Sequence, residues 1–173
     1  MRDPLVDPAP LVRRVYAYVA YRIGDGPDAE DVTSETFERA LRYRDSFDAR
    51  RGTPAAWLIG IARRCLADRA GRSHELVSEP PEEASNEELE VAAVRRLEVQ
   101  RAVGSLDERS RELIALRYGA DLTTAQIGEL LELKTNAVEV ALHRALHRLE
   151  SALDGEPEPR RRAREVPDIG RAL

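Results

Sequence analysis

The sequence is poor in cysteine, aromatic residues and long apolar runs. Its single cysteine excludes an internal disulfide and a thiolate-rich zinc site. Aromatic residues make up only 5% of the 173 residues, and no apolar run approaches the length of about 18 residues that a membrane span needs. The amino terminus lacks the apolar centre of a signal peptide, so we expect a cytoplasmic protein without membrane insertion.

Motifs of catalysis and cofactor binding are also missing from the sequence. It contains no glycine-rich phosphate loop, no nucleophile paired with a base and no cluster of metal ligands. His143 and His147 are spaced i and i+4, as in some metal sites, but Cys65 is remote in sequence and no third ligand lies near them. An enzyme is therefore the weakest interpretation, and we expect no cofactor and no metal.

Helical periodicity dominates what the sequence does contain. Hydrophobic residues make up 42% of the chain and charged residues 34%, a profile that suits small helical units better than sheets. Apolar spacing predicts helices over residues 11–23, 27–41 and 54–70, with Gly71 ending the third. Proline stands at the first position of the second and third helices, where its fixed φ favours helix initiation.

One apolar face of the third predicted helix carries the single cysteine. Cys65 lies four residues after Ile61 and eight after Trp57, which favours a buried structural thiol over a redox sensor. The same spacing favours a core position for Trp57, with a stacking platform for a nucleic-acid base as the alternative.

Charge and proline content divide the chain into two helical domains, a linker and a tail. Residues 73–98 hold two arginines and eight glutamates, and a Pro-Pro pair among glutamates is typical of a flexible, self-repelling linker. We predict an all-α protein with one helical domain over 1–72, a flexible acidic linker over 73–90, a second helical domain over 91–153 and a disordered tail over 154–173.

Residues 122–149 are the most informative stretch, because they encode a short helix, a turn of about three residues and a longer helix. Thr123 and Gln126 have capping-box spacing at the start of the short helix, and Ser105 and Glu108 have it one helix earlier. Such a helix-turn-helix lays its second helix in the DNA major groove; an ordinary helical hairpin is the alternative. An apolar stripe along the second helix comprises Val138, Leu142, Ala145, Leu149 and Leu153. The opposite face comprises Asn136, Glu139, Val140, His143, Arg144, His147 and Arg148.

The weak charge of the helix-turn-helix region limits the affinity that it can have for DNA alone. The whole chain carries a net charge of −5, and residues 99–153 hold seven basic and eight acidic side chains. Neutralisation of phosphates supplies most non-specific affinity for DNA. We therefore expect a larger partner to supply that part of the binding free energy.

Two separated parts of the chain resemble the bacterial extracytoplasmic-function (ECF) sigma factors of the sigma-70 family. Residues 28–41 resemble the polymerase-binding helix of the family, and residues 56–69 resemble the following helix, which handles the minus-ten promoter element. Residues 106–149 are similar to the second domain, which reads the minus-thirty-five element. The segments occur in the order of the family, with a linker between them.

The resemblance implies a non-enzymatic subunit that binds core RNA polymerase at its clamp and flap regions, melts promoter DNA and starts transcription. It also implies an inhibitor protein of the anti-sigma class. The polymerase-binding residues would be Asp31, Glu35 and Glu38. The minus-ten DNA contacts would be Tyr43, Phe47, Arg50, Arg51, Arg63, Arg64 and Arg69. The minus-thirty-five DNA contacts would be Thr124, Asn136, Glu139, Val140, His143, Arg144 and His147.

The helix-turn-helix departs from the pattern of this family in its turn, at Glu132 and Lys134, and in its second helix, at Asn136, Ala137, Glu139 and Ala141. Glu132 stands where the family usually has glycine, and Lys134 stands where a serine cap is usual, so we expect Thr135 to take over the cap. Glu139 replaces a cation on the DNA-facing side, which repels phosphate but can accept a hydrogen bond from cytosine. These departures predict an altered or weakened upstream promoter element.

Two other functions remain open at the level of sequence. A stand-alone helix-turn-helix regulator would bind duplex DNA without polymerase, as a dimer on paired half-sites. A degenerate sigma relative would act only through protein interaction, in keeping with Glu139 and the few basic residues. The arginines at 160–162 suit either a solvated tail or an electrostatic contact with DNA or polymerase.

Overall fold

The computed structural model describes residues 3–72 and 87–155, with side chains described over 3–71 and 95–155. Its helices are α1 (Pro8–Ile23), α2 (Pro27–Arg42), α3 (Pro54–Arg72), α4 (Glu87–Ser105), α5 (Glu108–Ile114), α6 (Thr124–Leu131) and α7 (Thr135–Leu153). A 3-10 turn, Arg44–Ser46, follows α2, and a π-helical turn, Ala115–Gly119, follows α5. These ranges contain no strand, so the predicted all-α fold with a helix-turn-helix is confirmed. No helix within them has the length and apolar character to cross a membrane.

The predicted linker and tail fall largely outside the described residues. Positions 73–86 and 156–173 lie outside the described residues. The predicted flexibility of the linker, the predicted disorder of the tail and the role of the arginines at 160–162 all concern these positions. Helix α4 already begins at Glu87, which is inside the range predicted as linker.

Helices α1, α2 and α3 form the first unit, and local signals explain where they begin. Pro27 opens α2 directly after Gly26, whose φ of 132° favours glycine. Before α3, the hydroxyl of Thr53 accepts a hydrogen bond from the backbone N–H of Ala56 at 3.3 Å. The predicted end of α3 is wrong, because the helix continues through Gly71 to Arg72.

The core of the first unit is built from the apolar stripes of its three helices. Val19 of α1, Val32 of α2 and Leu58 of α3 are all buried. Cys65 is buried among them, and burial raises the pKa of its thiol, in agreement with the predicted structural role. The ring of Trp57 is half-buried and packs on Phe47, with the ring centroids 5.5 Å apart.

The second unit comprises α4 to α7, and one of its predicted caps is wrong. Ser105 belongs to the end of α4, so Asp107 caps α5 instead, accepting a hydrogen bond from the N–H of Ser110 at 3.0 Å. The capping box of Thr123 and Gln126 at the start of α6 is confirmed. The apolar stripe of α7 is buried at Val138, Leu142 and Ala145 and half-buried at Leu149, whereas Leu153 is 46% exposed and lies beyond the core.

The turn between α6 and α7 holds a non-glycine residue in a left-handed conformation. Glu132 has φ 57° and ψ 40°, a conformation that favours glycine at the end of a helix. The following N–H, of Leu133, donates to the carbonyl of Gly128 at 2.8 Å. Lys134 precedes α7 without a side-chain cap, and Thr135 is already the first helical residue, so the predicted cap by Thr135 is wrong.

The two units share one continuous core, and α1 lies between them. Helix α1 packs on α2 and α3 and also on α5 and the π-helical turn, while α3 contacts α6. The backbones approach closely at Gly119, where an added Cβ would lie 2.9 Å from the Cα and N atoms of Tyr18. Any side chain at position 119 would therefore push α1 away from the second unit.

Replacing Glu132 with glycine should stabilise the protein. A left-handed conformation strains a residue with a Cβ atom, and we expect Glu132→Gly to raise the free energy of unfolding by about 0.5–1 kcal/mol. Denaturant unfolding followed by circular dichroism measures this change. Glu129→Gly is the matched control: it lies in α6, and glycine in a helix should lower stability by about 1 kcal/mol. A loss of stability in Glu132→Gly would contradict the assignment of strain.

Candidate nucleic-acid interface

The solvent-facing side of α7 brings together the residues predicted to contact the minus-thirty-five element. Thr124 of α6 is half-buried beside this face, and its hydroxyl lies 3.5 Å from a carboxylate oxygen of Glu139. The helical spacing of the α7 residues places them on one surface. The exposed members are Asn136, Glu139, Val140, His143, Arg144 and His147.

Arg148 lies close to this face in sequence but has another role in the structure. Its guanidinium donates to the carboxylate of Asp107 at 2.8 Å and to the hydroxyl of Ser110 at 2.7 Å. These contacts join the carboxyl-terminal half of α7 to the start of α5. Burial alone would raise the pKa of Asp107, but hydrogen bonds from Ser110 and the charge of Arg148 outweigh it, and the pKa lies below its ordinary value.

Three predicted polymerase contacts lie along α2. Asp31 and Glu38 are exposed, while Glu35 is half-buried and pairs with Arg39 at 2.6 Å. Arg39 also contacts Asp68 of α3 at 2.7 Å, and this hydrogen bond raises the pKa of its guanidinium. Glu38 also lies 4.0 Å from the guanidinium of Arg42, in an exposed ion pair. The face therefore offers exposed carboxylates at Asp31 and Glu38 and a more closely paired one at Glu35.

The residues predicted to contact the minus-ten element differ in their solvent exposure. Tyr43 is 60% exposed, and Arg50, Arg51 and Arg64 are also exposed. Phe47 is only 8% exposed and its ring is covered by Trp57, so in this structure it offers no face for a base.

Two further arginines of this predicted set are engaged by other side chains. Arg63 of α3 donates from Nε to a carboxylate oxygen of Glu112 at 2.9 Å and from Nη1 to the carbonyl of Leu130 at 3.3 Å. Both acceptors belong to the second unit. Arg69 pairs with Asp28 at the start of α2. The predicted minus-ten contacts therefore fall into two groups: exposed side chains, and side chains that already contact other residues of the protein.

Comparison with known proteins assigns the chain to a family. The sigma-70 region 2 family model matches residues 9–74, and the sigma-70 region 4 family model matches residues 96–149. Each match coincides with one helical unit. The chain belongs to the sigma-70 family. A stand-alone helix-turn-helix regulator is therefore not favoured.

The most similar relatives include two proteins named as ECF RNA polymerase sigma factors. The chain is 31% identical to BldN of Streptomyces coelicolor over 143 residues, which is 78% of this chain and 54% of BldN. It is 28% identical to SigK of Mycobacterium ulcerans over 151 residues, which is 82% of this chain and 80% of SigK. The chain therefore spans about half the length of BldN and most of SigK.

Two solved structures share the fold. The sigma factor RpoE of Bartonella quintana, in complex with the anti-sigma factor NepR, matches with a TM-score of 0.65 at 17% identity, over 85% of this chain and 94% of RpoE. CnrH, in complex with the cytosolic domain of CnrY, matches with a TM-score of 0.59 at 28% identity, over 88% of this chain and 87% of CnrH.

Sequence reasoning missed one polar cluster of this sigma factor, at the boundary between the two units. Glu112 of α5 is 9% exposed and accepts hydrogen bonds from the hydroxyl of Tyr18, 3.1 Å from each carboxylate oxygen. Arg22 and Arg63 pair with the same carboxylate. The sequence did contain a signal for this buried cluster. Glu112 directly precedes an apolar run, and Tyr18 interrupts the apolar stripe of α1, so both polar groups fall where buried residues are expected.

The contact between Asp107 and Arg148 should make stability depend on pH. A carboxyl whose pKa is lowered in the folded state adds stability above its unfolded pKa, which is lost as the pH falls through the folded value. We therefore expect the free energy of unfolding to fall below about pH 4. Asp107→Asn keeps a cap acceptor and should flatten this decline.

Denaturant unfolding between pH 7 and pH 2.5 tests the pH dependence, with Asp154→Asn as the control for loss of one carboxylate elsewhere. The control should follow the wild type. An Asp107→Asn profile that is parallel to the wild type throughout would contradict a stabilising charge at this position.

Proposed function

We propose that this chain is an alternative sigma factor that binds core RNA polymerase, recognises and melts promoter DNA and starts transcription as a non-enzymatic subunit. The observation that carries the proposal is the match of sigma-70 regions 2 and 4, in order, to the two helical units. We infer that it acts in the cytoplasm, where its polymerase and promoters are.

The first unit suits polymerase binding and strand capture. Asp31 and Glu38 present exposed carboxylates on one face of α2, Glu38 at 4.0 Å from Arg42, and suit a basic surface of the polymerase clamp. Tyr43 directly follows α2, Arg50 precedes α3 and Arg64 lies in the middle of α3. All three side chains are exposed and suit unstacked bases and phosphates of the non-template strand. Melting requires such a surface, because the bases must be held more strongly than in the duplex.

The second unit suits duplex recognition at the upstream element. The exposed face of α7 has the form of a recognition helix, with Asn136 near its start and Arg144 two turns further on. Glu139 lowers the positive charge of this face, so polymerase must supply much of the affinity through its flap region. The two units follow each other along the chain as sigma-70 regions 2 and 4.

An inhibitor of the anti-sigma class is part of the proposal. RpoE was solved with its anti-sigma factor NepR, and CnrH with the cytosolic domain of CnrY. Both chains share the fold of this protein over most of its length. We infer that a partner of this kind regulates the present chain.

Polymerase binding should depend on the carboxylates of α2. We expect the triple variant Asp31→Ala, Glu35→Ala, Glu38→Ala to bind core RNA polymerase about tenfold more weakly, because three partly exposed ion pairs together contribute about 1–2 kcal/mol. Titration of labelled protein with core enzyme measures the dissociation constant.

The matched control removes the same charge from the same unit, as Asp3→Ala, Asp7→Ala, Asp45→Ala. We expect its dissociation constant to stay near that of the wild type. Equal weakening of both triple variants would point to a general charge effect. Absence of binding by well-folded wild type would overturn the sigma assignment and favour polymerase-free DNA binding.

Promoter melting and upstream recognition should separate by mutation. Arg64→Ala should reduce open-complex formation about tenfold, through loss of phosphate or stacking contacts, and leave upstream-element binding nearly unchanged. Arg144→Ala should do the reverse. Permanganate reactivity of melted thymines and footprinting of the upstream element provide the two measurements.

The exposed Arg13 of α1 is the control for loss of one arginine, and Arg13→Ala should leave both measurements near the wild-type values. An equal loss in both assays for Arg64→Ala and Arg144→Ala would contradict this division of labour.

A further inference from the structure

A cavity between α1 and α4 has no role in the proposed function. Its volume is about 770 Å³, and small-molecule sites in proteins have volumes of about 300–1,000 Å³. None of the residues that line it is among the predicted contacts with polymerase or DNA. The chemistry of its lining residues therefore calls for a separate explanation.

Most of the cavity wall is apolar. Ala17, Ala20 and Ile23 line it from α1, and Val99 and Val103 line it from α4. Ile23 is 42% exposed and Val99 is 38% exposed, so part of this wall is in contact with solvent. A hydrocarbon that covers these side chains removes apolar surface from water, which is favourable. The walls therefore favour a ligand with an apolar part.

Arg111 is the cation best placed to bind an anion in this cavity. Its Nε donates to the carbonyl of Val103 at 3.3 Å, and its Nη2 donates to the carbonyls of Gly104 at 2.7 Å and Leu106 at 2.9 Å. These bonds hold the half-buried guanidinium at the end of α4. All three acceptors are neutral, and Nη1 has no acceptor among the described residues. Arg111 thus offers a fixed, charged donor to a ligand.

The other charges of the lining are largely paired within the protein. The lining contains four arginines and only one carboxylate. Arg22 pairs with Glu108 and Glu112 of α5, and the single lining carboxylate, Asp25, pairs with Arg96. An anion that enters the cavity therefore meets an excess of positive charge beside apolar walls, where charges interact more strongly than in water.

We propose that this cavity binds a small amphiphilic anion of the class of medium-chain carboxylates. The carboxylate pairs with Nη1 of Arg111, and the hydrocarbon chain lies between α1 and α4. This inference goes beyond the proposed function, because neither polymerase nor promoter DNA takes part in the binding. Such a site lets a small molecule act directly on a protein of the sigma-70 family.

The size of the cavity favours a small molecule over a helix of a protein partner. Ten residues of α-helix are about 15 Å long and at least about 10 Å across, so they occupy more than about 1,100 Å³. That volume exceeds the 770 Å³ of the cavity. A single alkyl chain with a carboxylate head is much thinner and can be covered on both sides by α1 and α4.

Calorimetric titration of the full chain tests the chemical class of the ligand. We expect decanoate to bind about tenfold more tightly than octanoate, because each additional buried CH2 group strengthens binding by up to about fourfold. Decanol and decyltrimethylammonium have chains of the same length and should bind at least about tenfold more weakly than decanoate, because neither supplies an anion to Arg111. All four probes are used below the concentrations at which they form micelles.

Gly104→Leu tests the position of the site by filling it. Gly104 lines the cavity in α4, and an added Cβ would meet nothing within 4 Å. The larger side chain takes up ligand space and should weaken decanoate binding at least about tenfold. Gly71→Leu is the matched control: it lies in α3, outside the cavity, and its Cβ also meets nothing within 4 Å. It should bind decanoate as the wild type does.

Substitution of Arg111 tests the charged anchor. Arg111→Met should weaken decanoate binding about tenfold and leave decanol binding nearly unchanged, whereas Arg111→Lys keeps the charge and should restore part of the affinity for decanoate. Circular dichroism checks that helix content is retained. Should Arg111→Met fail to fold, the probe series and Gly104→Leu still decide.

Two results would overturn this inference. Equal affinities for decanoate, decanol and decyltrimethylammonium would show a general apolar surface, and equal affinities of Gly104→Leu and Gly71→Leu would place binding elsewhere. Absence of binding by all four probes would also reject a small-molecule site and leave the cavity to a protein segment. Since polymerase is absent from these titrations, none of their outcomes bears on the sigma assignment.

Discussion

The packing of α1 between the two units is the constraint on which most of this structure depends. One side of the helix covers the apolar faces of α2 and α3, and the other lies against α5 and the π-helical turn. The second contact exists only because residue 119 has no side chain, which lets two backbones meet. The shared core, the burial of Glu112 and the position of the helix-turn-helix beside α3 follow from that contact.

Much of the fold could be predicted because its signals are local. The starts of α2, α3 and α6 depend on prolines and on a capping box that span three or four residues, and these predictions were correct. The cap of α5 was misassigned, because Ser105 and Asp107 both precede a helical pattern and only the path of α4 decides between them. The contact between units could not be predicted, since it joins residues such as Tyr18 and Glu112 that are far apart in sequence.

The candidate site shows the same division between local and long-range information. Helical spacing correctly placed the predicted contacts of α7 on one solvent-facing surface. It could not reveal that Phe47 is covered by Trp57, or that Arg63 and Arg69 already have carboxylate partners. A charged residue in a helical pattern is equally consistent with DNA contact and with an internal ion pair, and only the tertiary structure distinguishes these environments.

The attachment of α7 to α5 has a consequence for how the helices are held together. Helix α5 has seven residues, a length of about 10 Å. Asp107, at its start, is bonded to the recognition helix through Arg148, and Glu112 lies near its other end. The two ends of α5 therefore attach α7 on one side and α1 and α3 on the other through a single short helix. A substitution that loosens one of these attachments should weaken the other, because both depend on the position of the same helix.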